Sequence, residues 1–289
     1  MNAAADLSSG KGHKDENFPV ASFILKPEHR APIMAFYRFA RTADDVADHT
    51  TATAREKLRL LEQMRATLMG RHQKDAPALA LRGALAERNL PSTHALDLLE
   101  AFRRDVVKSR YESWDELMDY CRYSAAPVGR MVLDIHGEAP ATWPANDALC
   151  AALQVINHLQ DCAKDYRELD RVNLPQEELA AAGVSVAALG EPKASPGLRL
   201  VIAGLARRTG ELLRQSRPFA GQIRNGRLRF EVAFIQRVAE DLTVRLSRRD
   251  PLSERVHHTK PELAGLAVST VGRLLREPRH SRNSAATRT

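Results

Sequence analysis

Aromatic residues make up only 5% of this 289-residue chain, and stretches that alternate apolar with polar residues are nearly absent, which argues against a core built from strands. Cysteine is scarce too. Cys121, Cys150 and Cys162 are an odd number with no Cys-x-x-Cys pair, so neither a zinc knuckle nor a disulfide framework is expected, and the three read as core thiols in a reducing compartment. No apolar run approaches the roughly 18 residues that span a bilayer, and Met1 to Glu16 lacks the hydrophobic stretch of a signal peptide; the expected location is the cytoplasm. The phosphate-binding loop, the Gly-x-Gly-x-x-Gly turn, the Gly-x-Ser-x-Gly elbow and His-Glu-x-x-His are all missing. A Cys/His finger and a basic region running into heptads are missing as well, so nucleic acid is not an expected partner.

What is present is a globular composition, 44% apolar and 27% charged, with long segments dominated by Ala, Leu, Arg and Glu. These predict helices from Pro27 to about His49, Thr53 to Met69, Pro77 to Arg88, Ser92 to Val107, Asn146 to Arg167, and over 198–216, 226–248 and 261–276. Ser113 and Glu116 read as a capping box before a helix Leu117–His136, bent midway at Pro127. Gly183–Gly197, rich in Gly and Pro, reads as a loop or a flap beside the substrate. With no internal repeat and no linker-like break, the expectation is one all-α domain over 16–276, between a flexible N-terminus (1–15) and a flexible basic tail (277–289). From Arg199 to the end there are 19 Lys+Arg against 8 Asp+Glu, a surface suited to solvated helix faces and to peripheral contact with an anionic membrane.

Two rows of carboxylates carry the chemistry. In Phe39–Asp48 (FARTADDVAD), Asp44 and Asp48 lie four apart and so share a helix face, together with Tyr37 and Arg41. In Gln154–Asp165 (QVINHLQDCAKD), Asn157, Asp161 and Asp165 again step by four, with Gln154 just ahead and an apolar opposite face of Leu153, Ile156, Leu159 and Ala163. Like charges at this spacing repel, and a cation relieves them. Magnesium fits, since it takes oxygen ligands and is typically held by one or two carboxylates together with substrate phosphates; manganese is the natural substitute. Two facing rows would then hold Mg²⁺ and a diphosphate leaving group, with Arg41 and Arg171 supplying charged hydrogen bonds to it. His158 and the His257–His258 pair read as structural, because no second ligand set accompanies them.

These rows, with Tyr120–Gly129 (YCRYSAAPVG) and Asp165–Pro175 (DYRELDRVNLP), resemble the squalene/phytoene synthase family over about residues 16–250. The resemblance implies an all-α isoprenoid synthase fold with helices around a central cavity. It implies Asp44, Asp45 and Asp48 as the first Mg²⁺/diphosphate motif, Asn157, Asp161 and Asp165 as the second, and diphosphate- or cation-facing roles for Tyr37, Arg41, Gln154 and Arg171. Within the family, Glu16–Ser22 (ENFPVAS), Ser124–Gly129 (SAAPVG) and Leu174–Glu177 (LPQE) resemble the branch that makes hydroxysqualene for hopanoids. That branch ionises presqualene diphosphate, rearranges the cation and captures it with water, without NADPH. Ala125, Ala126 and Gly129 would let an isoprenoid chain lie against the backbone beside a wall of Val128, Val132 and Leu133; the alternative use of such small residues is close helix packing.

Three departures touch the second motif: Asn173 stands where many relatives carry Tyr, one extra residue separates Asp165 from Arg171, and Gln160 replaces a basic residue. Asn173 is a candidate holder of the capturing water. Two rival readings stay open. One keeps the fold and joins two farnesyl or geranylgeranyl diphosphates head to head; the other is a non-catalytic partner that docks on membranes or on sister enzymes of the pathway through its basic surface.

Overall fold

A computed structural model describes residues 26–276, and every named element in that range is helical. The expected flexible ends, 1–15 and 277–289, and the Glu16–Ser22 stretch lie outside the described residues. Helix α1 (Pro27–Asp48) starts on a proline at its first position, where the missing N–H costs nothing, and buries Ile33, Phe36, Phe39, Ala43 and Val46. Thr53 and Glu56 close a full capping box ahead of α2 (Ala54–Leu68). Lys57 on α2 donates to the Ala47 carbonyl at 2.9 Å and so caps the end of α1. Asp75 caps α3 (Ala76–Ala86), and α4 (Thr93–Val107) follows.

The expected bent helix 117–136 is instead two helices, α5 (Trp114–Ser124) and α6 (Ala126–Ile135). Pro127 has no N–H to bond back, so the break falls at Ala125 (φ −118°, ψ −51°), two residues ahead of the proline. The expected capping box is half made. Ser113 accepts from the Glu116 N–H, but the Glu116 carboxylate accepts from the Glu112 N–H instead and pairs with Lys108. Helix α7 (Trp143–Leu169) is longer at both ends than expected and ends at Asp170, which adopts the left-handed conformation (φ 48°). The short α8 (Gln176–Ala181) precedes Gly183–Gly197, a largely exposed connection anchored at two points: Leu189 is fully buried, Ala194 is buried, and the Ala194 N–H donates to Asp250 at 2.9 Å. Then come α9 (Pro196–Ser216), α10 (Phe219–Gln222), α11 (Gly226–Leu246) and α12 (Lys260–Arg276).

These helices pack in two apolar cores. One joins α1 to α4 with Met131 and Ile135 of α6; the other gathers α5, α7, α9 and α11 around Leu149, Ile156, Leu159 and Leu205. Helix α1 packs on α2, α3, α4 and α6, whereas α7 packs on α5, α6, α9 and α11, so the two Asp-bearing helices belong to different cores with α6 between them. The three cysteines are free; Cys121 and Cys162 are core thiols as expected, Cys150 is half-buried, and burial pushes each thiol up to about 12. Among the described residues, no helix is long and apolar enough to cross a membrane.

Candidate active site

On α1 the first row is organised by Arg41. One turn of helix sets its guanidinium 3.0 Å from Asp44 and 3.0 Å from Asp45, the latter almost fully buried. Burial, reinforced by the neighbouring Asp48 and only partly offset by Arg41, pushes Asp44 up to about 7. On α7, burial followed by the adjacent Asp161 pushes Asp165 up to about 6. Asp48 acts on Asp165 as well, which shows that the end of the first row and the end of the second are electrostatic neighbours. Arg171 joins them: its Nη2 donates to Asp48 at 2.8 Å, and its charge pulls Asp165 downward.

The added residue before Arg171 has a structural use. Asp170, in its left-handed turn, lets the Arg171 N–H return to the Asp165 carbonyl at 3.1 Å while the Arg171 side chain swings toward α1. Asp170 also pairs with Arg110, and Val172 donates to the Ser109 carbonyl at 2.8 Å, which ties this corner to the end of α4. Asn173 is buried, donates to Asp165 at 3.1 Å, and is not among the residues that line the apolar cavity; it orients a carboxylate rather than holding the capturing water. Gln160 points the other way, to the Val256 carbonyl. Gln154 lies 3.2 Å from His158, whose burial lowers it to about 3 and keeps it neutral, as a structural histidine should be. His258 is likewise structural, fixed on Asp241 at 2.8 Å.

One residue was missed. Asp105, on the last turn of α4, accepts from the Tyr120 hydroxyl at 2.9 Å, is pushed by burial up to about 6, and lies near enough to Arg171 for each to shift the other. It lines, with Asp48, Arg171, Lys57 and Lys108, a polar cavity of about 430 Å³.

Beside Tyr37 opens a second cavity of about 250 Å³, lying between the two cores and walled by Phe36 of α1, Val128, Gly129 and Val132 of α6, Leu149 and Leu153 of α7, and Leu228 and Val232 of α11. Ala125 and Ala126 are buried but do not line it. Gly129 serves both uses weighed from the sequence: it lines the cavity, and a Cβ there would meet Asn146 Oδ1 at 2.0 Å and Cys150 Sγ at 2.7 Å. In a helix interior Gly→Ala gains about 1 kcal/mol from propensity, but overpacking costs about 1–3 kcal/mol. Gly129→Ala should therefore lower the thermal unfolding midpoint; a rise would contradict the close α6–α7 approach.

The donor set suits magnesium. Asp44, Asp48, Asp161, Asp165 and Asn157 offer hard oxygen atoms, and Asp44 and Asp165 are raised first by burial and next by a neighbouring carboxylate, a repulsion that a bound cation relieves. Among the described residues, no three acidic or metal-binding side chains converge on one point. Magnesium is typically held by one or two carboxylates together with substrate phosphates, which this donor set can supply.

Known proteins resemble this chain in sequence and in fold. Residues 11–262 match the Squalene/phytoene synthase family. A hydroxysqualene synthase of Zymomonas mobilis is 57% identical over 277 residues, covering 95% of this chain and 93% of the relative. One from Rhodopseudomonas palustris is 56% identical over 257 residues, covering 89% and 88%. The crystal structure of squalene synthase HpnC from Alicyclobacillus acidocaldarius superposes with a TM-score of 0.71 at 32% identity, over 85% of this chain and 92% of that one. An all-α isoprenoid synthase with both carboxylate rows in place is an enzyme, which sets aside the docking-only reading, and the chain belongs to the squalene/phytoene synthase family.

Proposed function

We propose that this enzyme converts presqualene diphosphate to hydroxysqualene by ionising the diphosphate, rearranging the cation and capturing it with water, in hopanoid biosynthesis. The observation that carries the reading is the junction of the two rows through Arg171 beside an apolar cavity. The name carried by the relatives at 57% and 56% identity selects this branch over head-to-head joining of farnesyl diphosphates.

Magnesium, held by Asp44 and Asp48 on one side and by Asn157, Asp161 and Asp165 on the other, would neutralise the diphosphate and so ease carbon–oxygen cleavage. Asp45 supports this set from behind by holding Arg41. Arg41 and Arg171 carry the charged N–H groups that orient the leaving group, and Asn173 fixes the Asp165 carboxylate. Phe36, Val132, Leu149 and Leu153 surround the hydrocarbon and keep bulk water from the cation. The step needs no hydride, so no NADPH is required. The test is product formation by the purified chain with Mg²⁺ and without NADPH: presqualene diphosphate should give hydroxysqualene, whereas a C30 diphosphate made from farnesyl diphosphate would move the enzyme one step earlier.

A cytoplasmic enzyme with this product works next to a lipid phase. Val268, Val271 and Leu275 are exposed on α12, beside the exposed Arg276 and ahead of the basic tail, which supports peripheral contact with the inner face of the membrane and with sister enzymes there. Co-flotation with anionic but not neutral vesicles tests the membrane contact.

A further inference from the structure

The apolar cavity contains a carboxylate that the reaction as described leaves without a task. Glu231 stands on α11 between Leu228 and Ile235, is 6% exposed, and is the only acidic side chain among the described residues that line the cavity. Its helix neighbours on that wall, Leu228, Val232 and Ile235, are apolar, so packing alone favours a leucine or methionine here. Glu231 stands on α11, a helix that bears neither carboxylate row. Asn146, on the α7 side of the cavity, is committed: its Nδ2 donates to the Ala126 carbonyl at 3.3 Å and to Asp147 at 3.1 Å, and its Oδ1 accepts from the Cys150 thiol at 3.6 Å.

We propose that Glu231 is the base that takes the proton from the water capturing the cation, an inference that rests on the hydroxysqualene reading. A lone pair on the water oxygen forms the new C–O bond to the cationic carbon, one O–H bond breaks, and its proton passes to the Glu231 carboxylate. The other hydrogen stays on the product alcohol, and nothing is oxidised or reduced.

The test follows two quantities in one assay of the full chain with Mg²⁺ and presqualene diphosphate: the rate of diphosphate release and the hydroxysqualene formed per diphosphate released. Positioned bases contribute about a hundredfold or more, so Glu231→Gln should lower hydroxysqualene per diphosphate at least about tenfold while release changes far less. The missing product should appear as C30 hydrocarbons formed by proton loss. Glu231→Asp, which keeps the charge but draws it back by one methylene, should recover part of the alcohol. An unchanged ratio in Glu231→Gln beside an active wild type overturns the role of Glu231 alone. A wild type that releases diphosphate without forming hydroxysqualene overturns the reaction, and the role with it. Should Glu231→Gln lose its helical circular dichroism, Glu231→Asp decides by the same ratio: a lowered ratio supports the role and an unchanged one overturns it.

Discussion

Arg171→Ala is expected to lower kcat/KM by at least about a hundredfold, the scale seen when one donor to a developing anion is removed. The size of the effect follows from what the guanidinium does in this fold. It is the cation that sits against Asp48 of the first row, acts on Asp165 of the second, and balances Asp105 behind them. Removing it leaves three carboxylates with less compensation and, in the proposed function, withdraws a donor from the departing diphosphate. Asp105, already pushed up to about 6, should climb further and take up a proton near neutral pH. Arg171→Lys should recover little, because a point charge on a flexible stem cannot reproduce the planar fork. Steady-state kinetics decide the matter: a lysine variant at wild-type rate would show that charge alone suffices.

Asp165→Asn should separate stability from catalysis. The Asp165 carboxyl titrates near 6 in the metal-free fold, above its ordinary range, chiefly because of burial and Asp161. A carboxyl raised in this way favours the protonated fold, so its contribution to stability is present at low pH and lost as pH rises through about 6. At about pH 8 the ionised group opposes folding, and an amide of the same shape should raise the metal-free unfolding midpoint. Activity should fall at least about a hundredfold, since the proposed function makes Asp165 a ligand of the diphosphate-bound metal. Metal binding shows the same linkage. Because Asp44 and Asp165 titrate near 7 and 6, added Mg²⁺ should stabilise the wild type more at about pH 8 than at about pH 6, and this gain should shrink in Asp165→Asn. A variant that is less stable at high pH, or that stays fully active, would contradict the placement of Asp165 among repelling carboxylates.

The parts that were legible in the sequence are those that repeat. Asp44 and Asp48, and Asn157, Asp161 and Asp165, recur at the helical period, and the helices that bear them were long enough to be read with only their ends misplaced. Asp105 was not legible because it repeats nothing: four residues away on either side stand Ala101 and Ser109, and its partners Tyr120 and Arg171 arrive from α5 and from the turn after α7. Asn173 was visible as a departure but not as a neighbour of Asp165, since that contact depends on the left-handed turn at Asp170. The split of the 117–136 helix carried a signal in Pro127, but sequence spacing does not distinguish a bend from a break. That choice was made where Gly129 lets α6 settle against Asn146 and Cys150 of α7.

The measurement that tests the central claim most directly is the origin of the product oxygen. The enzyme, Mg²⁺ and presqualene diphosphate are combined in ¹⁸O-enriched water without NADPH, and the extracted alcohol is analysed by mass spectrometry. Capture of a carbocation by water predicts hydroxysqualene carrying one ¹⁸O atom. An unlabelled alcohol would mean that a phosphorus–oxygen bond broke instead, and would contradict ionisation in the cavity beside the two aspartate rows.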